Sequence, residues 1–353
     1  MKEKILEFVK NTEYREALGL PEDITEDYRM LAQGEYNINY LFTHPLTGEE
    51  MVLRVNAGSQ MHLDRQIEYE SHALKLLECS GRTPKLYYTD GSKRYIDSGI
   101  LVMGFLPGEY PHYDNREEMD SVMACLADIH AVPVPESEVI YGEPEGVPRD
   151  TVKLIAPADP AAAILDECEA MVRTYMESPL GYEDVKRRLR CLLDRAHRIA
   201  ESSECEPSGG DFRCCINTEL NSTNFLVDKG FVRLVDWEKP LYGDPAQDLG
   251  HLLAPTTTFW KTDLILSQDE TDRLINEYIK AVGGRFDTSG IMQRTQRLIN
   301  ITCLRGLTWC AMAWIQYKDP DKAIVNESTR VKLDAYLSDS FLRDIEQRLG
   351  INE

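Results

Sequence analysis

Acidic and amide side chains suited to metal binding and proton transfer are concentrated in one short stretch, residues 214–253. A polar run there contains Glu219 and Asn224 and leads into a predicted hairpin that turns at Asp228-Lys229-Gly230. Asp236 follows the second strand of this hairpin. A carboxylate and an amide oxygen suit the octahedral oxygen shell of Mg²⁺, which phosphate oxygens can complete. The order of these elements therefore predicts that Asn224 and Asp236 share a metal ion.

Glu219 precedes Asn224 by five residues in the same polar run. From this position its carboxylate could reach a substrate hydroxyl group and accept the proton of that group. Its position alone therefore makes Glu219 a candidate for the catalytic residue.

A series of residues in this region follows a recognisable order: Asn224, Asp236, Trp237, Gly243-Asp244-Pro245 and Asp248-Leu249. The series resembles the catalytic and metal-binding loops of the aminoglycoside phosphotransferase and choline kinase superfamily. The resemblance implies a two-lobed, protein-kinase-like fold. It also implies Mg²⁺- and ATP-dependent transfer of the γ-phosphate to a hydroxyl of a small molecule that is aminoglycoside-, amino-alcohol- or choline-like.

Two positions depart from the pattern of that superfamily. Asn217 stands where the family has a His, and Glu219 stands where it has the catalytic Asp. The Glu is one methylene longer, and a misplacement of about 1 Å can lower a rate about 10²-fold. Asn217 can still brace the loop by hydrogen bonding. An active phosphotransferase and a catalytically impaired pseudokinase, or nucleotide-binding regulatory protein, are the two main interpretations. A protein-directed kinase is a third, which the short distance from Asp236 to Gly243 disfavours because it leaves no separate activation segment.

The same resemblance predicts nucleotide-binding residues in the first third of the chain. Gly34 corresponds to the turn that covers the phosphates, where a glycine lets the backbone come close. Arg54, in the third predicted strand, corresponds to the phosphate-binding cation, and a guanidinium can contact a phosphate with two donors. Glu70 is the predicted ion-pair partner of Arg54, with Glu68 as the substitute. A hairpin glycine and an exposed strand Arg are the non-functional alternatives.

An apolar run at residues 100–105 ends in Leu106-Pro107-Gly108, where the chain is expected to leave the first lobe. Met103, Gly104 and Phe105 would then form the hinge. Their backbone groups would pair with adenine while apolar side chains enclose the ring. An ordinary buried strand is compatible with the same run.

The predicted acceptor-binding residues lie in an aromatic-rich segment that resembles the helix lining the acceptor pocket of choline kinases. Trp309 and Met312 correspond to the two pocket-facing aromatic positions when Gln316 is aligned. Helical spacing places these three residues on one face and Trp314 on another, and only one face can line a pocket. Met312 leaves an aromatic cage incomplete, which argues against choline itself. Glu238 is expected to hold a cationic acceptor.

The elements that must position these residues change in type along the chain. Strands are predicted at residues 28–31, 39–42, 50–55 and 100–105, and helices at 63–79, 119–130, 161–176 and 182–200. An amphipathic N-terminal helix is predicted to place Ile5, Leu6, Phe8 and Val9 on one face. The pattern predicts an α+β fold with a small β-rich lobe, residues 1–104, and a larger, mainly helical lobe, residues 105–353, that share one cleft.

Composition limits the partners of the chain. Its 39 basic and 60 acidic residues give a net charge of −21, which repels nucleic-acid backbones and anionic headgroups. This charge would favour a cationic small molecule, although an acidic surface also serves solubility.

Neither an export signal nor an apolar run of about 18 residues is evident, so we expect a cytoplasmic protein without a membrane partner. The nine cysteines include no CxxC pair and are expected to be reduced, mostly buried thiols. The sequence leaves the oligomeric state open.

Overall fold

The computed structural model describes residues 2–23, 25–34, 36–59, 61–201, 212–318 and 327–351. By packing, the chain divides into two compact units. The first unit comprises Met1–Ala156, Arg213–Thr218 and Thr223–Gly243. The second comprises Pro157–Phe212, Glu219–Ser222 and Asp244–Glu353. Each unit therefore combines several segments of the chain, whereas the sequence prediction divided the chain once, after Gly104. That predicted lobe boundary stays a prediction.

The first unit contains every strand in the described part of the chain. A five-stranded antiparallel sheet has the order β1-β2-β3-β5-β4, with β1 at Arg29–Gln33, β2 at Asn37–Thr43, β3 at Glu50–Asn56, β4 at Leu86–Asp90 and β5 at Gly99–Gly104. Three smaller sheets pair β6 (Val139–Tyr141) with β7 (Leu154–Ala156), β8 (Cys214–Ile216) with β11 (Leu241–Gly243), and β9 (Phe225–Asp228) with β10 (Phe231–Leu234). Only the β6–β7 pair is parallel.

Two short N-terminal helices, α1 (Lys2–Phe8) and α2 (Thr12–Leu18), pack in one apolar cluster with the large sheet. Phe8 of α1 and Phe42 and Leu53 of the sheet are all members of this cluster. Apolar burial of this kind is the main favourable contribution to folding. Leu6 was predicted on the same face as Ile5, Phe8 and Val9, but it is 37% exposed whereas the other three are buried.

Two longer helices complete the first unit. Helix α3 spans Gln66–Leu77, continues as a 3₁₀ turn at Glu78–Ser80, and packs against β4 and β5. A Cβ atom on Gly99 would lie 2.6 Å from the Ile67 side chain, so glycine permits this close contact. Helix α4 spans Arg116–His130, and the side chain of its N-cap, Asn115, accepts a hydrogen bond from the Glu118 N–H.

Only helices and loops form the described part of the second unit. Its helices are α5 (Pro160–Glu177), α6 (Glu183–Glu201), α7 (Pro245–Leu253), α8 (Pro255–Thr262), α9 (Gln268–Val282), α10 (Ile291–Gln316), α11 (Glu327–Tyr336) and α12 (Asp339–Arg348). Helix α10 is the longest and packs against α5, α6, α7 and α8. A capping box at Asp244 and Gln247 begins α7.

Helix α10 is also the one described helix that is long and apolar enough to cross a membrane by length and composition. The sequence prediction did not anticipate such a segment. Of its most apolar window, 67% is buried inside the protein, which is typical of a core helix.

Most predicted elements are confirmed, with ends that differ by three residues or fewer. Strand β4 was not predicted, because its residues are all half-buried and no alternating pattern marks them. The eight described cysteines are all free thiols, and six of them are buried.

Candidate active site

Arg54 on β3 is the centre of a buried polar cluster in the first unit. Its Nη1 donates to Glu70 Oε1 on α3, and its Nε donates to Asn39 Oδ1 on β2 at 3.0 Å. The side chains of Arg54 and Glu70 are 6% and 1% exposed. Glu68 instead pairs with Arg65 at the surface. The ion pair predicted from sequence is therefore present, with Glu70 and not Glu68 as the partner.

The cluster carries more negative than positive charge. Arg54 Nη2 lies 3.5 Å from Asp236 Oδ1, and the Asn37 amide donates to Glu238. Although burial opposes it, the carboxylates of Glu70, Asp236 and Glu238 raise the pKa of Arg54. Burial and the Asp236 carboxylate raise the pKa of Glu238 to about 7, against the opposing effects of Arg54 and Asn37. Such an excess of carboxylates favours the binding of a cation.

Loss of Arg54 should destabilise the protein strongly. Arg54→Met would leave the buried Glu70 carboxylate without its partner, and breaking a buried pair in this way costs about 3–5 kcal/mol. Denaturant unfolding measures this loss, and Arg54→Met/Glu70→Leu should recover a large part of it. Arg94→Met is the matched control, because the Arg94–Glu13 pair is 60% and 58% exposed; we expect it to cost less than about 1 kcal/mol. Equal losses in the two single variants would contradict the prediction.

Asp236 has an unusual backbone conformation that is fixed by Asn217. Its φ is 66°, in the left-handed region that Asp tolerates better than most residues. The Asn217 Nδ2 group donates to the Asp236 carbonyl oxygen at 2.7 Å, and Asn217 is buried. The bracing role predicted for Asn217 is thus confirmed. The Asp236 side chain itself is 46% exposed, so its carboxylate is accessible.

Asn224 lies beside the same segment, at the end of a 3₁₀ turn. The Val235 N–H donates to the Asn224 carbonyl oxygen at 2.8 Å, which places Asn224 against the residue that precedes Asp236. No group of three or more His, Cys, Asp or Glu side chains able to hold a metal occurs in the described residues. One carboxylate and one amide fit Mg²⁺, which takes few protein ligands and completes its shell with phosphate and water.

The backbone is strained immediately before Glu219. Thr218 has a φ of 72°, which is a genuine outlier for a β-branched residue. Its hydroxyl donates to the Lys239 carbonyl at 2.8 Å. Strain of this kind persists only where surrounding contacts enforce it, and it is concentrated at functional sites.

Glu219 itself belongs to the second unit and is held there by an arginine. Arg305 on α10 donates from Nη2 to Glu219 Oε1 at 3.1 Å and from Nε to Glu167 Oε2 of α5 at 2.6 Å. The next residue, Leu220, accepts a hydrogen bond at its carbonyl from His251 Nδ1 of α7 at 2.7 Å. Burial and the nearby Arg305 lower the pKa of His251. Helices α10 and α7 thus fix this short loop, and α5 anchors the arginine that holds it.

Helix α10 presents its aromatic residues on two different faces. Trp309 is 39% exposed and meets Trp260 of α8 edge-on, with ring centroids 5.4 Å apart. Met312 is half-buried and Gln316 is exposed on the same face. Trp314, by contrast, is buried, so its face is the packing face. The Trp309 face is the one available to a ligand.

The predicted phosphate-covering turn at Gly34 has room for a ligand, whereas the backbone N–H groups of the predicted hinge, at the end of β5, are already hydrogen-bonded. A Cβ on Gly34 would meet only the Asn37 oxygen at 3.8 Å, so the local fold does not itself require a glycine there. Glu35, the next residue, lies outside the described residues. The Gly104 N–H donates to Lys85 O at 2.8 Å, and the Phe105 N–H donates to Glu50 O at 3.0 Å. Adenine could pair with these two N–H groups only by replacing those bonds.

Several supporting residues belong to no recognisable sequence motif. The Tyr69 hydroxyl donates to Pro240 O at 2.6 Å, and Gln66 Nε2 donates to Glu238 O at 2.6 Å. Both side chains hold the segment after Asp236. Arg305 and His251 act in the same way on the Glu219 loop. Their partners are distant in sequence, and neither motif nor periodicity indicates such contacts.

Solved structures of other proteins share the fold of this chain. Similar structures include an ethanolamine kinase from Plasmodium vivax, with a TM-score of 0.61, 13% identity, and coverage of 96% of this chain and 89% of that one. Another is spectinomycin phosphotransferase in complex with ADP and spectinomycin (TM-score 0.60, 10% identity, 99% and 98% coverage). A third is amicoumacin kinase in complex with AMP-PNP, Ca²⁺ and Ami (TM-score 0.57, 13% identity, 98% and 96% coverage). No curated protein has a significant match.

The fold is therefore the two-lobed, α+β, protein-kinase-like class that the sequence predicted. The model of the phosphotransferase enzyme family (APH) matches residues 27–291. This match covers most of the sequence, and the chain belongs to that family.

Proposed function

We propose that the protein is an ATP-dependent O-phosphotransferase that transfers the γ-phosphate to a hydroxyl group of a small, cationic molecule. The observation that carries this proposal is the charged cluster around Arg54, in which a buried Arg54–Glu70 pair faces the accessible carboxylate of Asp236. Phosphoryl transfer depends mainly on positioning and on stabilising charge, and this cluster supplies both. Solved structures of the same fold include nucleotide complexes and kinases of small molecules, which supports the same proposal.

The nucleotide would lie against the first unit. Arg54 would contact its phosphates, Gly34 would let the turn approach them, and the segment Met103, Gly104 and Phe105 would border the adenine. The tolerance of the local fold for a side chain at Gly34 supports a ligand-related reason for glycine. Asn224 and Asp236 would hold Mg²⁺, which when bound neutralises phosphate charge.

Glu219 would act as the general base. The acceptor oxygen forms a bond to the γ-phosphorus while the bond to the bridging oxygen of ADP breaks, and the hydroxyl proton passes to the Glu219 carboxylate. Glu is longer than the family Asp, and the contact with Arg305 supplies one fixed position for the longer arm.

The acceptor would bind along the Trp309 face of α10, with Met312 beside it. The exposed indole of Trp309 offers a π-face to a cationic group. Glu238 remains a proposed acidic contact for a cationic acceptor, and within the first unit its carboxylate accepts a hydrogen bond from Asn37 in the Arg54 cluster.

The Trp309 face gives a testable effect on acceptor binding. Trp309→Ala should raise the KM of a cationic acceptor about 10-fold, because a cation–π contact contributes about 1–2 kcal/mol. The KM of ATP should not change. Tyr182→Ala is the matched control, since Tyr182 is an exposed aromatic residue of the same unit that instead contacts Trp314. An unchanged acceptor KM in Trp309→Ala would contradict the assignment.

A catalytically impaired, nucleotide-binding protein is the second candidate. Two observations favour it: Glu219 replaces the Asp of the family pattern, and its carboxylate is engaged by Arg305. In that case Mg²⁺·ATP would bind without turnover.

A screen of ATP consumption separates these candidates. Aminoglycosides, amino alcohols, sugars and nucleosides are offered in turn, with and without EDTA. We expect at least one amine-bearing alcohol to raise ADP formation above the acceptor-free rate, and EDTA to abolish the increase. Tight Mg²⁺·ATP binding with no stimulation by any acceptor would favour the second candidate.

A further inference from the structure

Arg305 connects the candidate base to the helical framework of the second unit. Its guanidinium uses two different nitrogens for two different carboxylates, Nη2 for Glu219 at 3.1 Å and Nε for Glu167 at 2.6 Å. The Arg305 side chain is 18% exposed, and those of Glu219 and Glu167 are 34% and 44% exposed. The side chain of Arg305 is therefore less accessible to solvent than either of its carboxylate partners.

We propose that Arg305 is a positioning residue that fixes the carboxylate of Glu219 for proton transfer and thereby allows a Glu to serve in place of the shorter Asp. The proposal rests on the proposed function, in which Glu219 is the base. Arg305 would touch neither substrate nor nucleotide in this role and would act through Glu219.

The geometry of a guanidinium explains why an arginine suits this role. Its donors lie in one plane at fixed angles, so the bond to Glu167 sets the direction of the bond to Glu219. A Glu side chain has one more rotatable bond than Asp and loses more rotamer freedom when it is fixed. Because Glu167 on α5 holds the guanidinium of Arg305 in place, Arg305 can in turn hold the longer Glu219 side chain in one position. Although burial opposes it, the carboxylates of Glu167 and Glu219 raise the pKa of Arg305, so it stays charged.

Arg305 also relates the base to the proposed acceptor face. Trp309 follows Arg305 by four residues on α10, which places both side chains on one face of the helix, about one turn apart. The carboxylate that Arg305 holds is therefore set relative to the surface along which the acceptor would bind. A small displacement there changes the distance between base and hydroxyl, and a misplacement of about 1 Å can lower a rate about 10²-fold.

A purely structural link between α5 and α10 is the competing explanation, and it predicts different kinetics. A structural link, when lost, lowers the free energy of unfolding but leaves the kcat of the remaining folded enzyme unchanged. A positioning residue lowers kcat, and only when Glu219 is present to be positioned.

The test is a double-mutant cycle on the full chain, in a background where ATP turnover is measurable. Arg305→Met should lower kcat about 10- to 100-fold with little change in the affinity for ATP. Arg305→Met/Glu219→Gln should be no slower than Glu219→Gln alone, because the residue to be positioned has already lost its function. Independent, multiplying losses in the double variant would overturn the proposal, as would an unchanged kcat in Arg305→Met.

Glu167→Gln removes the charge of the carboxylate that anchors Arg305 but keeps Arg305 itself. It therefore provides a test that remains valid if Arg305→Met does not fold. We expect it to lower kcat by a smaller factor, and again not in the Glu219→Gln background. Glu169→Gln is the matched control, because Glu169 lies on the same helix and pairs with His197; its kcat should equal that of the parent. Equal kcat values for Glu167→Gln and the parent would overturn the anchoring role.

A crystal structure of Arg305→Met gives a measurement that does not need turnover. The Glu219 carboxylate should be displaced or disordered relative to the parent structure, and a carboxylate that stays in place would overturn the proposal. If the parent consumes no ATP with any acceptor, the proposed function fails, while this structural comparison still decides whether Arg305 positions Glu219.

Discussion

Asp236→Asn should abolish the Mg²⁺ dependence of nucleotide binding and lower turnover by about 10³-fold or more, because charge stabilisation is the main contribution to phosphoryl transfer. The substitution removes the one carboxylate of the proposed metal pair and leaves Asn224 as a neutral ligand. It should leave the fold intact, since Asn tolerates the left-handed conformation at φ 66° and the backbone carbonyl can still accept from Asn217. Calorimetric titration with ATP, in Mg²⁺ and in EDTA, measures the effect.

Asp228→Asn is the control for this experiment. Asp228 lies at the end of β9, in the hairpin that precedes Asp236, and Asp228→Asn makes the same change of charge at a residue without a proposed role. We expect its affinity for ATP to depend on Mg²⁺ as in the parent. If Asp236→Asn retains the parent affinity for Mg²⁺·ATP, the metal assignment is wrong.

Glu219→Gln should lower kcat about 10²- to 10⁴-fold, which is the range for loss of a general base, at little cost in ATP affinity. The amide keeps the size of the side chain and can still accept from Arg305, but it cannot take up the hydroxyl proton at a useful rate. Steady-state kinetics with any acceptor that stimulates ATP consumption provide the measurement.

Glu219→Asp separates the role of the carboxylate from its reach. The shorter side chain keeps the base but cannot both reach Arg305 and occupy the same place, so we expect a partial rate between those of Gln and Glu. A parent-like rate in Glu219→Gln would mean that another group accepts the proton.

The strands of the large sheet were predictable because their burial follows local patterns. β3 is buried on both faces for nearly its whole length and therefore contains an almost unbroken apolar run with Arg54 inside it. β4 has no such pattern, since every residue in it is half-buried. Its position depends on pairing with β5 and contact with α3, which no local window of the sequence contains.

Within the site, the sequence predicted the pair Arg54 and Glu70 because the resemblance to the superfamily places a cation in the third strand and its acidic partner in the helix that follows. The choice between Glu70 and Glu68 depended on tertiary structure: Glu70 is 1% exposed and contacts Arg54, whereas Glu68 is 22% exposed and pairs with Arg65. Likewise, helical spacing alone left both aromatic faces of α10 possible. Packing decided the question, because Trp314 is buried and Trp309 is exposed.

The arginine that holds Glu219 could not be predicted. Arg305 is 86 residues from Glu219 and 138 from Glu167, and its own helix is otherwise mostly apolar. A charged residue within an apolar helix is expected to have a buried partner, and this is the one signal that could have indicated it. The identity of that partner depends on tertiary packing.

Phosphorus NMR of the parent protein with Mg²⁺·ATP and a small amine-bearing alcohol tests the central claim most directly. The proposed function predicts that the γ-phosphate resonance of ATP is replaced by those of ADP and a phosphate monoester of the acceptor. Formation of ADP and inorganic phosphate alone, or no change in ATP that binds with Mg²⁺, would contradict transfer to a hydroxyl group.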